Sequence, residues 1–480
     1  MNQILTLRVK PVSAASGKAR AKGLRSLTSS SDLGEAPIGR LMLRLALPSI
    51  MAQLINILYN IVDRMYIGRI AGAGSLALTG LGVAFPIITL VSAFAQLMGM
   101  GGAPLAAIQL GAGDRQRAER ILQNSALLLL IATVACTAGF LAFKRPLLFM
   151  FGASPDTITY AEDYLGIYLA GTISVMLALG LSPFITAQGQ ARVAMLSVMI
   201  GAAANIALDP LFIFTFGMGV KGAALATVIS QTLSAAWVVW YLCSHRSALR
   251  LRLRGARLDG AVVRRIIALG VSPFIMQATE SAISITFNVQ LRAYGNDLYV
   301  GSMTILQSVM QILFVPMNGF TQGVQPIISY NYGAGQFKRV MATFRRMTVV
   351  TLLAGMALAT CAMTMPELFA RVFTDNEELI GLVKQVLPIY ISGMLIFGLQ
   401  SSCQMTFVGM GQAKVSLFIA CLRKIILLIP LILLLPLKMG VMGIYWAEPI
   451  ADVTSAICAT LIFAFTHRRM LTPEALSRQS

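Results

Sequence analysis

Residues 104–113 read "PLAAIQLGAG" and residues 326–335 read "PIISYNYGAG". In both, a proline-containing apolar run stops at a Gly-Ala-Gly, the punctuation of a tight turn between helices. Three further pairs keep the same spacing. Pro48 is matched by Pro273, "GQAR" at 189–192 by "GQAK" at 411–414, and "MGVKG" at 218–222 by "MGVMG" at 439–443. All separations fall between 221 and 225 positions. The chain is one unit written twice.

Composition says what the unit is made of. The 480 residues are 57% hydrophobic and only 12% charged, with a mean hydropathy of +0.76. A soluble domain carries about 25% charged residues. Twelve apolar stretches recur, at 45–67, 75–108, 121–143, 158–187, 193–214, 222–243, 266–291, 298–327, 347–370, 380–408, 415–436 and 442–465. Each is long enough to cross a hydrocarbon core of ~30 Å, and two of the longer ones are expected to tilt or bend. The expected fold class is an all-α integral membrane protein of twelve transmembrane helices. Six helices per unit is an even number, so both units enter the bilayer from the same side. They form parallel repeats, two lobes around a central cavity, related by an axis along the membrane normal.

The net charge of +19 orients this protein and does not mark a nucleic-acid partner. Most Lys and Arg lie in the two tails and the even-numbered loops, including Arg115, Arg117, Arg120, Arg246, Arg250, Arg252, Arg254, Arg257, Lys338 and Arg339. The odd-numbered loops carry acids such as Asp375, Glu377 and Glu378. That asymmetry places both termini in the cytoplasm of a multi-pass membrane protein. The expected organisation is a basic, disordered tail at 1–40, an N-lobe at 41–243 and a basic linker at 244–265. A C-lobe at 266–466 and a C-terminal tail at 467–480 follow. Residues 1–31 hold six Lys or Arg and no acid. A transit peptide has that composition, but a cytoplasmic tail is the preferred reading.

Several chemistries find no support. No GxxxxGK[ST] occurs, so the Gly-Ala-Gly turns are not phosphate loops. Cys136, Cys243, Cys361, Cys403, Cys421 and Cys458 show no CxxC spacing and read as small apolar residues. With only His245 and His467, and no nucleophile–base cluster, an integral-membrane enzyme has little to work with. No cofactor is expected, and a monomer is.

The informative residues are acids within the spans: Asp63, Asp209, Glu280, Glu448 and Asp452. An ionised carboxylate at a helix centre costs on the order of 2.5–3.5 kcal/mol even on the lenient insertion scale, so each needs a partner or a purpose. In "NIALDPLF" (205–212), Asn205 and Asp209 are four apart and share a helix face. Pro210 removes a backbone N–H and frees a carbonyl one turn back. Carboxylate, amide oxygen and loosened carbonyl are ligands for a small hard cation. The same carboxylate could instead carry a proton, or simply bond a neighbouring helix. Asp63 ends the first helix and could pair with Arg64. Arg423 and Lys424 in the eleventh span are expected to pair with Glu448 and Asp452 in the twelfth. A mostly apolar cavity with a few polar anchors is expected between the lobes, with Gln277, Glu280 and Asn288 nominated for substrate contact.

Together these stretches resemble a known family, the multidrug and toxic compound extrusion (MATE) transporters. The likeness covers about residues 38–470. It rests on "IVDRMYIGRI" (61–70), "QLGAGD" (109–114), "ITAQGQAR" (185–192), "NIALDPLF", and "GVKGAALAT" (219–227). To these are added "SPF" with Glu280 in the seventh span, "QPIISYNYGAGQFKRV" (325–340) and "VGMGQAK" (408–414). The resemblance implies a secondary antiporter that exports amphipathic or cationic drugs in exchange for Na+ or H+, by alternating access. It implies a cation site, for Na+ or H+, on Asp63, Asn205, Asp209 and Thr227. It also implies a bend of the first helix at Pro48 and a C-lobe coupling or drug role for Glu280. The tenth span lacks the acid that some members carry there. The alternative within the superfamily is a lipid-linked glycan flippase, which would call for more than twelve spans and several cavity arginines.

Overall fold

A computed structural model describes residues 32–70, 74–252 and 257–477. Among them the secondary structure is helical throughout, with turns between helices and no strand. The spanning segments are α1 (Ile38–Gly68), α2 (Gly74–Gly111), α3 (Arg115–Ala142) and α4 (Ile158–Ala170 continued by Thr172–Ala187). The first half closes with α5 (Ala191–Pro210) and α6 (Val220–Cys243). The second half has α7 (Gly260–Tyr294), α8 (Asp297–Gly333), α9 (Phe337–Thr364) and α10 (Glu377–Ile391 continued by Met394–Gly409). It ends with α11 (Ala413–Cys421, continued to Leu434) and α12 (Val441–Met470). Ten of these helices are each long and apolar enough to cross a membrane, and the two bent pairs bring the number to twelve.

The bends are where two long spans had to yield, α4 by 60° and α10 by 41°. They fall at Gly171 and at Ser392–Gly393, equivalent places in the two repeats. A second repeated irregularity lies in the fifth helix of each unit. There the turn widens to a π-helix, at Leu211–Thr215 after Pro210 and at Leu422–Leu428 within α11. π-turns inside helices concentrate at functional positions, because the widened turn re-aims side chains.

Each half has its own apolar core. One gathers Ile87, Leu122, Leu165, Phe184 and Val238, the other Phe287, Leu306, Val386, Ile391 and Tyr445. A third cluster joins the halves, with Leu41 and Leu45 of α1 against Val324, Ile327 and Ile328 of α8 and Phe407 of α10. Outside, large apolar side chains such as Val134 (70% exposed) and Phe465 (77%) face outward, as a lipid-facing surface requires.

The opening motif has two structural duties. Its last glycine, Gly113 or Gly335, takes φ of 80° or 69°, which L side chains disfavour. Its first, Gly111 or Gly333, lies against backbone of the opposite half, at Tyr330 and Ile108, where a Cβ would collide. Small residues thus let α2 and α8 cross backbone to backbone.

Two expected boundaries move. The folded body begins before residue 41: a helical turn at Asp32–Glu35 precedes α1, and Leu33 is fully buried. Arg339 donates to the backbone carbonyl of Ala36 at 2.8 Å, and Asn331 to that of Leu33 at 2.9 Å. Helix α7 starts at Gly260, inside the stretch read as linker, because Asp259 caps it by accepting from the N–H of Ala261. The described part of that linker is pinned to the first half. Gln188 Oε1 accepts from the N–H groups of Ala248 and Leu249, and Asn124 Oδ1 accepts from the N–H of Asp259. Residues 1–31 and Arg254 lie outside the described residues.

Candidate functional site

Helices α1, α5 and α6 meet in the first half, and their polar residues meet with them. Asp63 (7% exposed), Asn205 (2%) and Asp209 (0%) are all buried. Four-residue spacing puts Asn205 over Asp209, and the amide Nδ2 donates to Asp209 Oδ1 at 3.2 Å. The carboxyl of Asp63 lies beside that of Asp209. Arg64 does not serve as the counter-ion that sequence spacing offered. It is exposed, and its guanidinium sits over the Phe85 ring, 5.3 Å from the centroid.

Two ionised carboxylates contribute no donor to one another, so a proton or a cation must lie between them for the contact to be favourable. Oxygens are available for it. Asp63 Oδ1, Asn205 Oδ1 and Asp209 Oδ2 are buried with no hydrogen-bond partner. Thr227 on α6 faces the hydroxyl of Tyr164 on α4, and Tyr59 on α1 faces Gln231 on α6. The set is all oxygen and two carboxylates strong, which fits a small hard cation or a proton. Tyr164, Tyr59 and Gln231 escaped the sequence reading as members of this cluster; hydroxyls and an amide inside apolar spans were their only signal.

A cavity of about 270 Å³ opens beside this cluster. Tyr59, Asn205, Thr227 and Gln231 line its first-half wall, and Gln322 and Gln325 of α8 close it from the second half. Gln53 Nε2 donates to Gln322 Oε1 at 3.1 Å across the gap. Gln277, Glu280 and Asn288 are not among the lining residues. Gln404 is not among them either: its Nε2 donates to Ser272 Oγ and Ser416 Oγ, both at 2.9 Å, tying α10 to α7 and α11.

In the second half the charges are paired. Arg423 Nε donates to Asp452 Oδ1 at 2.6 Å and its Nη2 to Glu448 Oε1 at 3.1 Å. Phe397 and Phe314 flank the guanidinium, with centroids 4.6 and 5.9 Å from Cζ. Lys424 turns elsewhere than expected: its Nζ is 2.9 Å from Glu280 Oε1 on α7. Glu162 and Asp163 face Arg145 and Lys221 at 3.9 and 3.5 Å near the helix ends.

Pro48 is buried in α1, which runs unbroken from Ile38 to Gly68. Pro210 ends α5, and the chain passes into the π-turn, closed by a 2.9 Å bond from the N–H of Phe216 to the carbonyl of Leu211.

The family model of MatE matches residues 48–211 and again 273–434, starting each time at the repeated proline. The chain belongs to the MatE family. The double match is the internal repeat seen from outside. Among characterised relatives, the chain is 24% identical over 445 residues to the multidrug export protein MepA of Staphylococcus haemolyticus (strain JCSC1435), covering 92% of this chain and 96% of that one. It is 25% identical over 448 residues to MepA of Staphylococcus aureus (strain MW2), covering 91% and 96%. The MatE fold is equally plain in solved structures. A MATE in the bent conformation superposes with a TM-score of 0.86 at 22% identity, over 94% of this chain and 99% of that one. An outward-facing multidrug resistance MATE family transporter of the MOP superfamily gives 0.85 at 22% identity, over 95% and 100%. This MatE chain is therefore a multi-pass membrane protein of the transporter class.

Proposed function

We propose that the protein is a secondary active multidrug efflux antiporter. It exports amphipathic, often cationic, compounds across a bacterial inner membrane in exchange for Na+ or H+. The observation that carries this reading is the Asp63–Asp209 carboxyl pair, buried with no ion pair among the described residues beside a cavity between the two halves. Asp63, Asn205, Asp209 and Thr227 form the cation site in this reading, and Tyr59 and Gln231 connect it to the cavity. Relatives named as multidrug export proteins support the cargo class.

The coupling needs one physical condition, that cation and cargo bind the two access states with different affinities. A cation between the carboxyls draws α1 and α5 together; its departure leaves two like charges that push them apart. Because Tyr59 and Asn205 serve both cluster and cavity, a shift of α1 changes the cargo wall. The lobes of this cycle are the two halves, α1–α6 and α7–α12, with both termini on the cytoplasmic side and no cofactor required. Ethidium accumulation in inside-out vesicles, energised separately by a Na+ gradient and by a pH gradient, tests the reading. Accumulation under one gradient supports it and names the ion; none under either, in correctly inserted protein, refutes it.

A further inference from the structure

The second-half cluster contains more acid than base. Glu448 and Asp452 lie four residues apart on α12, on one face, and both hold the guanidinium of Arg423. Lys424 is committed to Glu280 at 2.9 Å. Three carboxylates therefore meet two cations, and one negative charge is left over. The shortfall is located on α12: Asp452 is fully buried, and its Oδ2 has no hydrogen-bond partner.

No neighbouring element supplies the missing charge among the described residues. Helix α7 brings Glu280, α10 brings the Tyr390 hydroxyl, and α11 brings only Arg423 and Lys424. The next basic groups, Arg292 at the end of α7, Lys414 at the start of α11, Lys438 just before α12 and His467, Arg468 and Arg469 at its end, lie at helix termini, and Lys384 of α10 is held by Glu367 at 2.8 Å. Arg468 is sixteen residues beyond Asp452 on one helix, about 24 Å along its axis.

We infer that Glu448 and Asp452 hold one proton between them, which makes the second half a proton-binding site separate from the first-half cluster. The proton comes from water and forms one O–H bond on a carboxyl oxygen; nothing in the protein breaks. It brings the cluster to neutrality and gives Asp452 Oδ2 a donor or makes it one. A metal ion fits poorly, because the guanidinium already bridges the carboxylates and two phenyl rings form its other walls, leaving few oxygen ligands. The site goes beyond the antiport reading, and its test uses no transport.

The test is infrared difference spectroscopy, in H2O and D2O at neutral pH, on the full chain in lipid nanodiscs. A protonated-carboxyl C=O band is expected in the Asp63→Asn/Asp209→Asn double variant, where the first-half carboxyls are gone. Adding either Glu448→Gln or Asp452→Asn should abolish it, since the remaining carboxylate is then balanced by Arg423. Thermal unfolding supplies an independent reading. Glu448→Gln keeps shape and total charge of the protonated site, so the melting temperature should stay at the parent value. A band absent from the double variant, or surviving both added substitutions, would overturn the site. So would a melting temperature lowered by Glu448→Gln as far as by Arg423→Met, which would mean that both carboxylates are ionised. Disappearance of the band on adding Na+ would make the occupant a metal ion instead.

Discussion

The two halves repeat one fold and put opposite charge logic on the same pair of helices. In the first, α5 carries Asn205 and Asp209 and α6 carries Thr227 and Gln231, with Asp63 arriving from α1 and no ion pair to the cluster among the described residues. In the second, α11 carries Arg423 and Lys424, while Glu448 and Asp452 stand on α12 at the repeat positions of Thr227 and Gln231. The acids have moved from the fifth helix to the sixth, and cations fill the fifth. A buried carboxylate fixed by a guanidinium is held in place; one facing another carboxylate must take a mobile partner. The difference teaches that the repeat supplies a scaffold, while the ion chemistry is written independently in each half.

The comparison breaks most visibly at Arg423. Substituting it with Met strands Glu448 and Asp452 together, and loss of one partner of a buried ion pair costs about 3–5 kcal/mol. Thermal unfolding in detergent should show the largest drop of any variant considered; an unchanged melting temperature would mean that the second-half charges are not locked. The opposite result is expected of Asp63→Asn, which removes one of two facing carboxyls. The fold should be as stable as the parent, while gradient-driven dye accumulation falls on the order of tenfold or more, the equivalent of ~1.4 kcal/mol in coupling. Loss of folding there would show Asp63 to be structural.

Lys424→Met sharpens the comparison at smaller scale. It frees Glu280, which is half-exposed at 53% where Asp452 is fully buried, so stability should fall by less than in Arg423→Met. A loss as large as that of Arg423→Met would join the two ion pairs into one unit. The smallest effect belongs to the loop between α9 and α10. There Lys384 and Arg371 hold the Glu367 carboxyl below the ordinary range. A lowered acid contributes stability above its unfolded value and loses it as pH falls through the folded one. Glu367→Gln should therefore lower stability slightly at neutral pH and leave it unchanged at low pH, which flattens the acid limb of a stability–pH profile.

Much of this was legible in the chain. Twelve spans and the doubling follow from apolar length and from glycine–proline punctuation, because lipid demands long apolar helices and tight turns demand glycine. The Asn205–Asp209 face follows from helical spacing. Which way Lys424 points does not, because a π-turn at 422–428 changes the angle between successive side chains and carries Lys424 to α7. Nor does the cavity wall: Gln404 sits at a plausible depth, yet its Nε2 is engaged by Ser416 on the next helix and by Ser272 on α7, which is distant in sequence. The early start of the fold at Leu33 was hidden, since one buried leucine between Asp32 and Glu35 carries no periodic signal.

The central claim is that the first-half carboxyl pair carries the coupling cation while the cavity beside it carries the cargo. Asp209→Asn separates the two. In purified protein, ethidium binding measured by fluorescence anisotropy should match the parent, while accumulation in inside-out vesicles under the driving gradient should be lost. Accumulation equal to the parent under that gradient would contradict the account, and would leave Asp209 a buried structural residue.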